Sequence, residues 1–473
     1  MKMVIKMKKY LTKQNIFNIS IIFLFLIFSI IMSTRHEYWA DEANAWLLAN
    51  DLSIKDLILY IHRDGHPILF HLIIKSFLLL GLKYKYFSII SIIFSTIGVS
   101  LFLFKSKFKW YIKALIPFTY FIFYQYTVIV RGYCLALLLI SLIAILWEKR
   151  REKCVLFTFI LFLLLSSEIY LFLFAGSIYF IMLVDYFLEY KKTKRIDKKY
   201  IGCLIFLFIS FLLTTIYVFP RSSNTFNPNN YIDYYLSDSF ITSFASPHSI
   251  KITITMILIG YFTLLYSKLG IRKILEALII ISPILIFTIF KYSNLWHYGI
   301  IFLVFLFLVW IHKLYNYKSI NILIVLICLI QIYYSINTCI YDYNNNYSSS
   351  KDVSTFIKKY DYKNLKIYGH DFYSSELNPY FEDTLYFNYG KYRFFYWDKK
   401  AEHYNYRLSY YMLKANNVDI LIYYPYQVTL DDKIYDDYNM YKFPASTYFQ
   451  NSKYENMTCY VFVRKDIDKE KQD

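Results

Sequence analysis

In the first third of the chain, Trp39-Ala40-Asp41-Glu42-Ala43-Asn44 is followed by Arg63-Asp64-Gly65-His66-Pro67 and then by Val130-Arg131-Gly132-Tyr133. A carboxylate can take a proton from a hydroxyl, and a histidine or arginine can hold an anion, so these residues have the parts for acid–base chemistry at a charged group. Arg221, Lys291 and His297 add cations further along. Each residue also has a plainer reading. Asp41 can cap the helix it opens. Glu42 lies about 100° further round that helix, so both carboxylates cannot point at one atom; Glu42 is left to bind substrate or metal, cap the helix or do nothing. His66 can cap the helix it precedes, and Arg131 can be an interfacial residue whose stem lies in the lipid. Lys291 and His297, beside Tyr292 and Trp296, can be membrane anchors. Glu168, at the tip of a turn between two apolar runs, reads as a solvated or paired turn residue.

The elements that must position these groups are set by composition. The chain has 473 residues, is 57% hydrophobic and 22% aromatic, and contains long runs almost free of charge. Such a chain belongs in lipid. The formal charge of +18 falls in short clusters between apolar runs instead of forming one basic face, which argues against a nucleic-acid partner and marks topology. The first apolar run, 16–32, leads into Arg35-His36-Glu37 instead of a small-residue cleavage site, so it reads as an anchor helix. The six cysteines are scattered without metal-ligand spacing and read as core residues. Whether a divalent metal takes part stays open, and no cofactor is indicated.

Apolar segments lie near 16–33, 66–81, 86–104, 111–128, 132–147, 154–166, 169–188, 200–219, 251–267, 274–291, 295–312 and 319–338. Basic clusters occur at 2–13, 105–113, 149–153, 191–199, 268–273 and 313–318. Short basic loops belong on the cytoplasmic side. If every segment crossed, the clusters from 105 onward would face away from the N-terminus, so one early segment does not cross. The 66–81 segment is the candidate: as a helix it is ~24 Å long at ~1.5 Å per residue, against a hydrocarbon core of ~30 Å. It also carries His66, His71 and Lys75. Placed at the outer interface, it makes 34–85 one external loop and leaves about eleven crossings with a cytoplasmic N-terminus. Asp41, Glu42, His66, Arg131, Glu168, Arg221, Lys291 and His297 then share the outer face, where ionisable residues near helix mouths are functional candidates.

Within that loop, 41–50 reads as an Asp-capped helix, Ser53 as the cap of a helix over 54–62, and Pro67 as the first residue of the 66–81 helix. Beyond a polar linker at 344–350, strands are predicted at 366–368, 419–424 and 459–463, with helices near 351–360 and 402–416. The predicted fold class is therefore an all-α polytopic membrane protein over 1–340, followed by a small α/β extracytoplasmic domain over 341–473. That domain either covers the site or selects an acceptor, or it packs without catalytic residues.

A first membrane helix, Asp-Glu at the start of an external loop, His-Pro opening a juxtamembrane helix and an eleven-helix count together resemble the glycosyltransferase C superfamily. Within it, the pattern is similar to protein O-mannosyltransferases and bacterial lipid A aminoarabinose transferases. The likeness covers about the first third of the chain; 150–340 agrees in hydropathy and topology alone. A single Pro follows His66 where relatives often have two, and Tyr86-Phe87-Ser88 has no Arg where the mannosyltransferases place one. The resemblance implies transfer of a sugar from a polyprenyl-phosphate carrier to an extracytoplasmic glycan, lipid or protein acceptor at the cell membrane, with Asp41 as catalytic carboxylate. Glu42, His66, Arg131, Lys291, His297 and Arg221 are then the candidates for substrate binding. Two rivals stay open: a transporter or lipid flippase, and an inactive relative acting in envelope assembly.

Overall fold

The computed structural model describes residues 12–218, 268–290, 295–370, 372–389, 393–394, 407–424, 429–448 and 458–468. The predicted segment at 251–267 lies outside them, as do Arg221 and Lys291. The described chain is mostly helical. Six of its helices are long and apolar enough to cross a membrane: Lys13–Ser33, Tyr84–Lys105, Gly132–Lys149, Ile169–Thr193, Lys198–Val218 and Lys318–Asn344. They leave large apolar side chains such as Phe23, Phe187 and Phe208 exposed, as lipid-facing surfaces require. Shorter apolar helices run over Cys154–Leu165 and Leu295–Ile311. The helix Ile271–Phe290 contains Pro283. The cysteines are unpaired, and all but Cys339 are buried, as small core residues are.

The predicted juxtamembrane helix is shorter than the apolar run suggests. It spans Leu69–Leu79, with Ile68 as its N-cap, so Pro67 precedes it instead of opening it. Its 11 residues rise ~16 Å, too little to cross a bilayer. The two helices before it end as their sequences dictate. Ser53 Oγ accepts the Asp56 N–H at 3.1 Å and starts Ile54–Asp64, and Gly65, at φ +74°, stops it. Ala40–Asp51 starts differently from the expectation. Trp39 is its N-cap and Asp41 lies inside the first turn, while Glu42 accepts the Trp39 N–H at 3.1 Å. The cap role belongs to Glu42, and the Asp41 side chain is free of it. At the other end, Lys75 Nζ donates to the carbonyls of Ala49 and Leu52 at 2.9 and 2.6 Å, tying the juxtamembrane helix to the C-terminus of Ala40–Asp51.

The predicted 111–128 span is broken. An α-helix over Trp110–Leu115 passes into a 3-10 turn at Ile116–Phe118, where Pro117 supplies no N–H, and Thr119 is extended. A π-type segment then runs Tyr120–Val128, and the chain stays extended to Arg131 before the 3-10 turn Gly132–Leu135. Backbone groups freed at membrane depth need other partners. Ser95 Oγ donates to the Tyr126 carbonyl at 2.9 Å, Ser91 Oγ to the Thr127 carbonyl at 2.7 Å, and the Val130 N–H goes to Glu42 Oε1 at 2.6 Å.

The C-terminal part holds a four-stranded sheet and a two-stranded ladder. The strands are β1 (Ile367–Gly369), β2 (Arg407–Leu408), β3 (Ile420–Tyr423), β4 (Thr429–Leu430), β5 (Tyr438–Phe443) and β6 (Cys459–Arg464). The sheet order is β1-β3-β6-β5, with β1 parallel to β3 and the other pairs antiparallel; β2 and β4 form the parallel ladder. The three predicted strands match β1, β3 and β6, while β5 and the ladder were not foreseen. Of the predicted helix at 402–416, residues 407–416 are described, and they correct it: Arg407–Leu408 is strand β2 and the helix is confined to Tyr410–Ala415.

This domain seats on the first loop. Trp39 and Ala40 enter its apolar cluster with Ile367, Leu377 and Tyr424. Ser350 Oγ donates to the Tyr38 carbonyl at 3.1 Å, and Arg393 makes a two-pronged ion pair with Asp51 at 2.7 and 2.8 Å. The Ala40–Asp51 helix thus lies between the membrane helices and the sheet domain.

Candidate functional site

Asp41 and Glu42, being neighbours on one helix, face different groups and do different things. Glu42 is fully buried. Its Oε1 takes the Val130 N–H, and its Oε2 takes the Trp39 N–H and the His36 ring at 3.2 Å. By accepting from two backbone N–H groups on separate stretches and from His36, Glu42 acts as a strut. Asp41 retains 18% side-chain exposure and pairs with the residue after Val130: its Oδ2 lies 2.8 Å from Arg131 Nη1. One dipeptide on the loop helix therefore grips one dipeptide at the helix break, the Glu42 carboxylate on the Val130 backbone and the Asp41 carboxylate on the Arg131 side chain.

Arg131 carries the contact onward. Its Nη2 lies 3.3 Å from His66 Nε2, and His66 Nδ1 lies 2.8 Å from Glu168 Oε2. Asp41, Arg131, His66 and Glu168, drawn from four separate stretches, form one chain of alternating groups. Glu168 is buried, and the turn that bears it is zipped to the start of the juxtamembrane helix by the Leu69 N–H on the Ser166 carbonyl at 2.9 Å. Gly132 permits this approach, because a Cβ there would fall 2.3 Å from Glu168 Oε1. Asp64 flanks the chain, accepting from Asn44 Nδ2 at 3.2 Å with His71 Nε2 at 3.5 Å. The Arg131 guanidinium also lies over the Trp296 ring, 4.9 Å from its centroid.

Burial pushes the Asp41 carboxyl above its ordinary value, with Arg131 and His66 pulling the other way. His66 is held up: burial lowers its proton affinity, but Glu168 outweighs it. His71 is lowered by burial, with Asp64 pulling the other way. Behind the site, His36 bridges two buried carboxylates, with Nε2 on Glu42 and Nδ1 on Asp342 at 3.0 Å. Although burial lowers it, Glu42 and Asp342 hold the imidazole up at about 10, so it is a cation at neutral pH. Tyr124 donates to the same Asp342 oxygen at 3.0 Å.

The structure thus brings Asp41, His66 and Arg131 together, with Glu42 directly behind them. His297 is buried, stacked on Tyr170 at 4.5 Å and edge-on to Tyr133. It reaches the cluster through those rings and its neighbour Trp296. Glu168, which the sequence marks only as a turn residue, is in the chain of contacts; its position between two apolar runs next to Ser166-Ser167 was the available signal. His36 and Asp342 had no local signal, because they lie 306 positions apart. Among the described residues, no group of three or more His, Cys, Asp or Glu side chains is arranged to hold a metal ion. The chain matches no family model, no curated protein and no solved structure. The functional reading therefore stands on the residues and their geometry.

Proposed function

We propose that the chain is a membrane glycosyltransferase that moves a sugar from a polyprenyl-phosphate carrier to a hydroxyl-bearing acceptor on the extracytoplasmic side. The observation that carries this reading is the convergence of Asp41, Arg131, His66 and Glu168 beside the juxtamembrane helix. Asp41 is the base: it takes the acceptor's hydroxyl proton as the acceptor oxygen bonds to the anomeric carbon. The bond from that carbon to the phosphate oxygen breaks, and its electron pair leaves with the phosphate. Arg131 and His66 receive that charge.

The resting ion pair makes sense of the order of events. While Arg131 is held by Asp41, the carboxylate is a weaker base than its burial alone would make it. A donor phosphate that draws Arg131 away leaves Asp41 a stronger base as the acceptor arrives. Arg131 Nη2 and His66 Nε2 meet at 3.3 Å, so a phosphate oxygen that draws the guanidinium from Asp41 also comes within reach of the imidazole.

The topology belongs to the same proposal. It comprises about eleven crossings, a cytoplasmic N-terminus and an external 341–473 domain, and it is supported by the placing of the basic loops and by a Leu69–Leu79 helix too short to cross. The test is Asp41→Asn in the full chain, with membranes assayed for transfer from lipid-linked sugars to cell-envelope acceptors. Loss of a general base predicts a fall of about 10²–10⁴-fold at unchanged protein level. Undiminished product from the variant overturns the assignment and returns the chain to the transporter or assembly readings.

A further inference from the structure

The turn after the juxtamembrane helix forms an open cavity of about 400 Å³ on the surface, walled by Phe77, Leu80, Leu82 and Tyr86, with Lys83 and Lys85 also lining it. The sequence builds it in three steps. The helix stops as Gly81, at φ +86°, lets the Leu82 N–H reach back to the Phe77 carbonyl at 3.0 Å. Tyr84 then turns inward against Trp46 and Phe87. Lys83 and Lys85, on either side of it, are left exposed.

Two features say what this cavity takes. Leu79 and Leu80 project at its edge with 84% and 83% exposure, while the next most exposed large apolar residue described, Ile271, has 70%. A pair of leucines so far out of the protein is at home in hydrocarbon, at the depth where a lipid's chains begin. Among the described residues neither lysine makes an ion pair, and no Asp or Glu occurs in the sequence from Gly65 to Trp147. Lys85 Nζ rests over the Tyr86 ring, 4.7 Å from its centroid. Apolar walls, a projecting apolar tip and two uncompensated cations within three residues match a negatively charged phosphate carried on acyl chains.

We propose that this turn is a binding site for an anionic phospholipid of the surrounding leaflet. Its phosphate lies between Lys83 and Lys85, and its chains run along Leu79 and Leu80. The site is separate from the Asp41 cluster, at the far end of an 11-residue helix that rises ~16 Å. It depends on the chain lying in a membrane and not on the sugar-transfer reading. A lipid held there fixes the depth of the helix whose other end adjoins His66.

The test uses the full chain in mild detergent, titrated with phosphatidylglycerol or phosphatidylcholine and read by native mass spectrometry. The unaltered protein is expected to hold one phosphatidylglycerol in preference to phosphatidylcholine. Lys83→Gln with Lys85→Gln should weaken that binding about 25-fold, about fivefold for each charge at a membrane surface. Lys105→Gln with Lys107→Gln, a pair of the same spacing at the other end of the Tyr84–Lys105 helix, should leave it unchanged. Equal retention of the two lipids by the unaltered chain overturns the proposal, and so does an equal loss in both lysine pairs.

Discussion

Replacing Glu42 by glutamine keeps the shape of the side chain and removes one charge and half of its accepting capacity. The carboxylate accepts from Val130 N–H at Oε1 and from Trp39 N–H and the His36 ring at Oε2. An amide has one oxygen to offer, so either the Val130 or the Trp39 N–H faces an NH₂ group and is left unpaired in a buried site. That costs about 1–3 kcal/mol. The second loss is electrostatic, because His36 keeps only Asp342 as a buried counter-charge. Breaking one side of a buried ionic bridge costs about 3–5 kcal/mol when the partner stays charged. The imidazole can shed its proton and recover part of this, so the two losses do not simply add. A combined destabilisation of about 3–5 kcal/mol is expected, read as a lowered denaturant midpoint for the purified chain in detergent. A double-mutant cycle with His36→Gln isolates the bridge: the coupling between the two sites should exceed about 1 kcal/mol. Transfer activity should also fall, since Glu42 fixes the backbone that presents Arg131. An unfolding midpoint within about 0.5 kcal/mol of the unaltered protein, or additive effects in the cycle, would refute the strut role.

Gly132→Ala places a methyl group 2.3 Å from Glu168 Oε1, so the carboxylate must leave His66; overpacking of this kind costs about 1–3 kcal/mol, and a larger effect on activity than on the unfolding midpoint is expected. Asp64→Asn removes a negative charge that raises the Asp41 pKa, so the acidic limb of the pH–rate profile should move to lower pH; a shift to higher pH contradicts Asp41 as the base. In the sheet domain, burial pushes Glu376 up to about 8. A carboxyl raised in the folded state contributes stability that is complete below its unfolded pKa, near 4.5, and is gone once the pH has risen through about 8. The loss amounts to at most about 5 kcal/mol at 1.36 kcal/mol per pKa unit. Glu376→Gln should flatten the fall in the domain's thermal midpoint between pH 5 and 9, and an unaltered slope would assign it to other groups.

Much of the scaffold could be read from the chain. Ser53 marks a helix start because its hydroxyl serves a donor three residues away, and Gly65 marks a stop because it alone tolerates φ +74° at no cost. The 66–81 run was expected to be short for a membrane helix from its length and its polar residues, and the helix proved shorter still. Ile420–Tyr423 and Cys459–Arg464 were visible as apolar runs rich in β-branched and aromatic residues. The break at 116–131 was not visible. Pro117 is the one local hint of it, and the bonds that make a π-type segment and an extended stretch tolerable come from distant residues, Ser91, Ser95 and Glu42.

The site divides the same way. Residue types and hydropathy were enough to place a carboxylate, a histidine and an arginine near the ends of membrane helices, because burial preference and helix length are properties of contiguous residues. Which of them meet was decided by tertiary structure. Asp41 pairs with Arg131 across 90 positions, His66 with Glu168 across 102, and His36 with Asp342 across 306. Such pairings depend on which faces of distant helices pack together, and a hydrophobic period repeats in the same way whichever neighbour a helix finds. For the same reason the sequence offered Asp41 and Glu42 alike as caps of one helix and as site residues, whereas packing against Val130 and His36 gave Glu42 the cap and the strut and left Asp41 to hold Arg131.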